Sequence, residues 1–514
     1  MATPTPSARG AGAAPGDTAF FGHPRGLSTL FFTEMWERFA FYGLRGVLIV
    51  FMTASVAAGG LGFDTGKAGA VYGTYVALVY LLSLPGGWVA DRLLGLRKSV
   101  LYGGIMIMFG QLCLAVPGAR LFYPGLALIV LGTGLLKPNV SAIVGDLYGA
   151  EDARRDSGFS IFYMGINLGA FIAPLIVGWL AQSEQFKVIL DGWGISPATS
   201  WNWGFGVGAL GMFLGLIQYV AGWKHLGDAG VRPSVDPASA EGAAARRQFW
   251  LGMLALGAVI AGVAMLVRSG SLTVEQVTNG FGLIYFVIVV AFFVWLFGFG
   301  TWTRDERKRL IVIAVLFAGA AVFWSAFEQA ASTLNLFARD NTRNQIFGWE
   351  FPSTWFQSVN ALMIIALAPV FAWLWLRMGK RDPSSPTKFA FGLLFAGLGF
   401  VVMVGAANAS AGGMKVSPWW LVLTYLLHTI GELCLSPVGL SSMTRLAPER
   451  VKGLMMGVWF LAASMGNLIA GRVAGLLERY SAAGLFLRVA LFAIVASAVM
   501  FALVRPIRRM LERA

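Results

Sequence analysis

Long apolar stretches, each near the 20 residues that cross about 30 Å of hydrocarbon, follow one another along almost the whole chain, separated by short polar segments. They predict helical spans near residues 28–54, 68–90, 98–118, 123–145, 156–182 and 201–222, a first group of six. A polar stretch from Lys224 to Arg247 precedes two further apolar runs, near 248–267 and 279–300. Six more spans are predicted near 309–335, 354–377, 387–411, 417–441, 452–475 and 482–503. The pattern therefore predicts an all-α polytopic membrane protein: two six-helix bundles plus two extra central transmembrane helices, about fourteen in total. The expected divisions are a disordered cytoplasmic tail over 1–26, an N-terminal bundle over 27–223 and a cytoplasmic linker with the two extra helices over 224–306. A C-terminal bundle over 307–504 and a basic cytoplasmic tail over 505–514 complete them.

Composition narrows the class. Of 514 residues 57% are hydrophobic and 12% charged, against about 25% charged in soluble domains, which excludes a string of soluble domains, a disordered chain, collagen and a coiled coil. The net charge of +14, from 39 basic and 25 acidic residues, would suggest nucleic acid in a soluble protein. Here the cations fall in short loops: Arg92, Arg97 and Lys98; Arg154 and Arg155; Arg246 and Arg247; and, in the second half, around Arg304, Arg377, Arg445 and Arg505. All lie on one predicted side, so the positive-inside rule places both termini in the cytoplasm, and no nucleic-acid partner is expected. Cys113 and Cys434 sit in apolar runs and support neither a disulfide framework nor a metal site.

Two equivalent halves fit the parallel-repeat transporter plan, with a central site between them. The stretch Gly87-Trp-Val-Ala-Asp91-Arg92-Leu-Leu-Gly95-Leu-Arg97-Lys98 resembles the loop motif of the major facilitator superfamily and implies that fold.

A charge at mid-bilayer costs about 2.5–3.5 kcal/mol on insertion scales, so each one needs a partner or a function. Seven lie well inside the spans: Glu34, Glu37, Arg38 and Arg45 on the first helix, Lys137, Glu328 and Glu432. Glu34, Glu37 and Arg38 stand at i, i+3 and i+4 and share a face, with Arg45 two turns further on. Counting at 1.5 Å per residue places Arg45 level with Glu328 near the outer side, and Lys137 level with Glu432 nearer the centre, as candidate gating salt bridges. Four glutamates against three cations leave one carboxylate in excess, and a buried unpaired carboxylate takes up a proton. The cluster Glu34, Glu37 and Arg38 is the predicted proton-coupling centre, with the proton belonging to the group. His428, one turn from Glu432, is expected either to share that proton or to donate a hydrogen bond within its own helix.

At these residues the chain resembles the proton-dependent oligopeptide transporters of the major facilitator superfamily. Glu34-Met-Trp-Glu37-Arg38-Phe-Ala-Phe41-Tyr42-Gly43 is similar to their first-helix signature, and Phe162-Tyr163-Met-Gly-Ile-Asn167-Leu-Gly-Ala-Phe to that of the fifth. Further matches are Gly132-Thr-Gly134-Leu-Leu-Lys137-Pro-Asn139, Phe323-Trp324-Ser-Ala-Phe-Glu328-Gln329, Trp355-Phe-Gln357-Ser-Val-Asn360 and Gly431-Glu432-Leu-Cys-Leu-Ser436-Pro437. The two central helices are like those of bacterial members. The resemblance implies that Arg38, Lys137 and Tyr42 hold a peptide carboxylate, suitable donors for it. It implies that Glu432, Asn167 and Asn360 hold the ammonium, and that Tyr80, Trp324 and Trp459 line the pocket. Phe41 stands where the family usually has tyrosine.

The implied function is a proton-coupled symporter that imports dipeptides and tripeptides across the inner membrane by alternating access. Its partners are peptides, protons and the lipid bilayer, it works as a monomer, and it needs no cofactor. The alternative within transport is another small solute, such as nitrate or a peptide-like drug. An enzyme would need a nucleophile or metal constellation, and the sequence contains neither a Ser-His-Asp nor a His-rich arrangement; a passive channel is disfavoured by the mixed chemistry of the intramembrane residues.

Overall fold

The computed structural model describes residues 17–148, 152, 154–231, 233, 235–298, 300, 302–448 and 451–512. The expected N-terminal tail lies outside these as far as residue 16, as do the last two residues of the basic tail. Helix follows helix: α1 (Arg25–Thr53), α2 (Thr65–Leu81), α3 (Ser83–Val89), α4 (Leu96–Ala115), α5 (Phe122–Asp146), α6 (Arg155–Gln182), α7 (Glu184–Gly192) and α8 (Ser200–Ala221). Next come α9 (Ala240–Arg268), α10 (Val274–Gly298), α11 (Arg304–Phe327), α12 (Thr333–Asp340), α13 (Gln357–Met378), α14 (Ser385–Ser410), α15 (Trp419–Leu446), α16 (Lys452–Gly475) and α17 (Ala482–Glu512).

Among the described residues thirteen helical segments are long and apolar enough to cross a membrane. Helix α1, which carries Glu34, Glu37, Arg38 and Arg45, is not among them, but its 29 residues reach about 44 Å at 1.5 Å per residue. With it the count is fourteen. Most boundaries fall within a few residues of the sequence-based expectation, and the departures have local causes. Helix α11 begins at Arg304 because Thr303 and Glu306 form a capping box, Oγ1 accepting from the Glu306 amide at 3.2 Å and the Glu306 carboxylate from the Thr303 amide at 2.9 Å. The span expected to end near 335 instead breaks at Glu328 into a single 3₁₀ turn, Glu328–Ala331, before α12 resumes. Helix α7, whose Ser183 cap accepts from the Phe186 amide, and a two-residue hairpin, Gln345–Ile346 with Trp349–Glu350, were not foreseen.

The chain forms two compact units. One comprises residues up to Leu44, Leu82–Val177 and Asn202–Leu266. Its core is aliphatic, with Leu27, Leu30, Leu136, Val140 and Ile143 fully buried around Met212 and Tyr219. The other comprises Arg45–Leu81, Gly178–Trp201 and Val267–Ala514, with a core rich in phenylalanine from α11, α14 and α17. The second unit thus holds the last nine residues of α1 and all of α2 together with α7, α10 and α11–α17. Within it α2 and α16 touch at backbone distance: a Cβ on Gly69 would lie 2.2 Å from the Gly471 carbonyl oxygen, so only glycine permits the approach.

Candidate functional site

In the first unit the cluster predicted on α1 is assembled as its spacing requires. The Arg38 Nε stands 3.1 Å from Glu34 and hydrogen-bonds Glu37 Oε2, so one guanidinium serves two carboxylates. All three residues are at most 3% exposed. Glu34 Oε2 and Glu37 Oε1 have no hydrogen-bond partner among the described residues. The two carboxylates share one hydrogen-bonding guanidinium and keep two bare oxygens, either of which can bind a proton. The Arg38 guanidinium carbon also lies 5.1 Å from the centre of the Phe41 ring, a cation–π contact. Phe41 is 3% exposed: the residue that departs from the family pattern backs the arginine.

Other predicted residues join this unit from α5 and α6. Lys137 is half-buried on α5 and lies within electrostatic reach of Glu34. Asn167 is buried on α6, its amide donating to the Tyr163 carbonyl at 3.0 Å. Gly169, in the same signature, lets α6 lie directly on α1, since a Cβ there would meet the Met35 carbonyl oxygen at 2.4 Å and Arg38 Cβ at 2.9 Å. Tyr42 is half-buried on α1, its ring edge-on to Phe41 at 5.3 Å.

The second unit holds the remaining charges. Arg45 Nη2 donates to Glu328 Oε2 at 2.5 Å, and Arg45 Nε to the Tyr72 hydroxyl at 3.2 Å. The 3₁₀ turn at the end of α11 carries Glu328 at 3% exposure. Two contacts that sequence reasoning missed extend this seam: Asn335 Nδ2 donates to the Gly46 carbonyl at 2.7 Å, and Arg339 to Thr53 Oγ1 at 2.7 Å. On α2 the Ala77 carbonyl accepts from Ser464 of α16 at 2.8 Å. The last nine residues of α1 and all of α2, 26 residues of helix together, lie in this unit, and these contacts fasten them to α12, α16 and the 3₁₀ turn after α11.

Asn360 Nδ2 donates both to Thr429 Oγ1 at 2.9 Å and to Glu432 Oε2 at 3.1 Å, fixing the carboxylate on α15. Glu432 is in turn within electrostatic reach of Glu328 and Arg45. Trp324 is half-buried with its indole N–H unpartnered among the described residues, and Tyr80 is half-buried on α2. Trp459 is 5% exposed, its ring edge-on to Phe389 at 6.4 Å and over Gly439, surroundings typical of a core residue. His428 does not bond within its own helix: its Nε2 meets the Ala396 carbonyl of α14 at 3.1 Å, because Gly399 on that helix leaves room for the ring.

Span-length helices, buried charge clusters set in them and helix seams closed by small residues define a polytopic membrane transporter. The family model described as the POT family matches residues 97–489. The chain belongs to the POT family. It is 44% identical over 515 residues to the peptide transporter YePEPT of Yersinia enterocolitica, covering 97% of each chain. It is 36% identical over 507 residues to a di-/tripeptide transporter of Lactococcus lactis, covering 96% of this chain and 98% of that one. A crystal structure of a mutant of peptide transporter POT in complex with alafosfalin superposes with a TM-score of 0.86 at 43% identity, covering 96% of this chain and 97% of that one. A POT family transporter in complex with 5-aminolevulinic acid gives 0.86 at 34% identity, covering 96% and 98%.

Proposed function

We propose that this protein is a proton-coupled symporter that imports dipeptides and tripeptides across the inner membrane by alternating access, with both termini cytoplasmic. The observation that carries the coupling is the Glu34–Glu37–Arg38 group, in which two buried carboxylates share one guanidinium and each keeps an unpartnered oxygen. With a proton bound, the group is neutral and Arg38 stays paired. When a peptide carboxylate arrives at Arg38, Lys137 and Tyr42, it competes with the glutamates for the guanidinium. A glutamate displaced from Arg38 in this low-dielectric setting needs a proton, so peptide and proton bind together.

The ammonium end of the peptide is assigned to Glu432, already held by Asn360, with Asn167. Tyr80, Trp324 and Trp459 contribute aromatic surface, which accommodates varied side chains without specific hydrogen bonds. Of the three, Trp459 contributes as backing. The Arg45–Glu328 pair acts as the outer latch: desolvated and bridged when the outer gate is shut, parted and hydrated when it opens.

Uptake of an alanine dipeptide into proteoliposomes, with and without an inward proton gradient, tests this reading. Accumulation above the external concentration only with the gradient is the expected result. Gradient-independent equilibration would overturn the coupling, and uptake of nitrate in place of peptide would overturn the substrate.

A further inference from the structure

Away from the charge clusters, the second unit contains a crevice of about 1000 Å³ walled by α10, α11 and α16. Its walls are apolar, with Phe286, Phe293, Phe297 and Phe317 prominent, and two arginines line it: Arg472 beside Gly282 and Arg307 in the first turn of α11, which follows the end of α10. From Gly282 to Gly298 along α10 is about 24 Å at 1.5 Å per residue, most of the roughly 30 Å hydrocarbon thickness. Phe286 and Val294 are 55% and 61% exposed, so the crevice opens on the surface that span-length apolar helices turn towards lipid.

The two arginines differ. Arg472 is half-buried and donates to the Leu468 carbonyl at 3.0 Å and to the Thr278 carbonyl at 2.6 Å, fastening α10 to α16. The Arg307 side chain makes no hydrogen bond or ion pair among the described residues. Its acidic neighbours are engaged elsewhere, Asp305 with Lys308 at 2.9 Å and Glu306 with the Thr303 cap. An apolar slot of membrane depth ending in an uncommitted guanidinium is complementary to a molecule with long hydrocarbon chains and one anionic head.

We infer that the crevice holds an anionic phospholipid, its phosphate on Arg307 and its acyl chains along the phenylalanine wall of α10 and α11. Arg307 lies in the first turn of α11, on the cytoplasmic side in the orientation proposed above, so the lipid comes from the cytoplasmic leaflet. Basic positions between helices on that side are suited to anionic headgroups. The occupant bridges α10 to α11 within the second unit. Only the choice of leaflet rests on the transport reading.

Native mass spectrometry of the full-length protein, released from detergent with equimolar phosphatidylglycerol and phosphatidylcholine of identical chains, tests this. Wild type should retain phosphatidylglycerol in preference. Arg307→Gln, at an exposed position, should reduce that preference about fivefold, and Ala318→Trp, which fills the slot from an exposed lining position, should abolish retention of both lipids at the site. Arg304→Gln, on the same turn but outside the crevice, should behave as wild type. An unchanged preference in Arg307→Gln overturns the proposal, as does unchanged retention in Ala318→Trp or a wild type that does not discriminate the two lipids. Retention is read in detergent without transport, so its failure is separable from failure of the symport reading.

Discussion

Helix α1 carries two charge clusters seven residues apart, about 10 Å along one axis, and they are built on opposite principles. At Arg38 two carboxylates share one cation and two oxygens are left bare. At Arg45 one carboxylate meets one cation, with the Tyr72 hydroxyl taking a further N–H. The first group is complete only with a proton added. The second is complete as it stands and loses by being opened. In the proposed mechanism a single helix carries a chemical switch and a mechanical latch, distinguished by whether the charges balance.

The comparison breaks most visibly at the switch. Glu34→Gln or Glu37→Gln converts two carboxylates on one guanidinium into a balanced pair resembling the latch. Proton-driven accumulation should fall to the level of empty liposomes, while counterflow exchange of peptide persists, because exchange needs binding but no net proton movement. Full accumulation in both variants would show that the imbalance at Arg38 is not the coupling element.

At the latch the expected effect is smaller and structural. Glu328→Gln leaves Arg45 buried without its counterion, a cost that can reach about 3–5 kcal/mol in the closed arrangement and that shifts the population towards outward-open. Ser464 is fully buried where α2 meets α16, so Ser464→Cys in a background lacking Cys113 and Cys434 reports opening. Maleimide added from outside should label it faster in Glu328→Gln, and Arg45→Glu with Glu328→Arg should slow labelling again. An unchanged rate in the single variant rules out a latch.

Lys137 sharpens the distinction between proton and peptide at the switch. If it holds the peptide carboxylate, Lys137→Ala removes a charge-assisted contact of about 1.5–3 kcal/mol, roughly a tenfold to hundredfold loss in affinity for free peptides. Peptides with an amidated C-terminus should lose far less, and competition binding with matched pairs measures the difference. Equal losses would place Lys137 among the proton-linked charges alone.

How much of this was legible before the structure depends on how rare the signal is. Charges are scarce in apolar helices, so Glu34, Glu37 and Arg38 could be grouped by helical spacing, and Arg45 set level with Glu328 by counting residues. Glycine is not scarce: with 65 in the chain, nothing marks Gly69 and Gly471 as the pair that lets α2 touch α16. Tyr72, Asn335 and Thr53 complete the seam through hydroxyl and amide contacts whose partners lie far away in sequence. The break at Glu328 is equally silent, since both sides of it read as one apolar run. Sequence spacing offers His428 only Glu432 or a bond within its own helix, because only local neighbours are visible in a sequence, whereas its partner, Ala396, is on another helix.

The smallest effect separates the pH dependence of folding from that of coupling. His23, ahead of α1, is buried with Nδ1 2.9 Å from the Tyr148 hydroxyl and Nε2 3.3 Å from Ser157 Oγ. The Ser157 hydroxyl already donates to the Arg154 carbonyl, so Nε2 carries the proton and Nδ1 accepts from Tyr148. Burial, and then the Arg154 guanidinium, lower the His23 pKa, with Asp152 opposing; burial raises that of Tyr148 to about 12, which keeps its hydroxyl protonated. A histidine whose folded pKa lies below its unfolded value near 6.5 supports the fold fully above that value. It loses its contribution as pH falls through the lowered pKa. Melting of wild type should therefore drop between pH 7.5 and 5, and His23→Gln, which can still hydrogen-bond but cannot titrate, should flatten the drop by no more than about 2 °C. The same variant should leave the pH profile of dipeptide uptake unchanged, because the proposed mechanism assigns that profile to the group at Arg38. An uptake profile displaced by His23→Gln would assign part of the coupling to the N-terminal segment and remove the distinction between switch and latch as the sole organiser of α1.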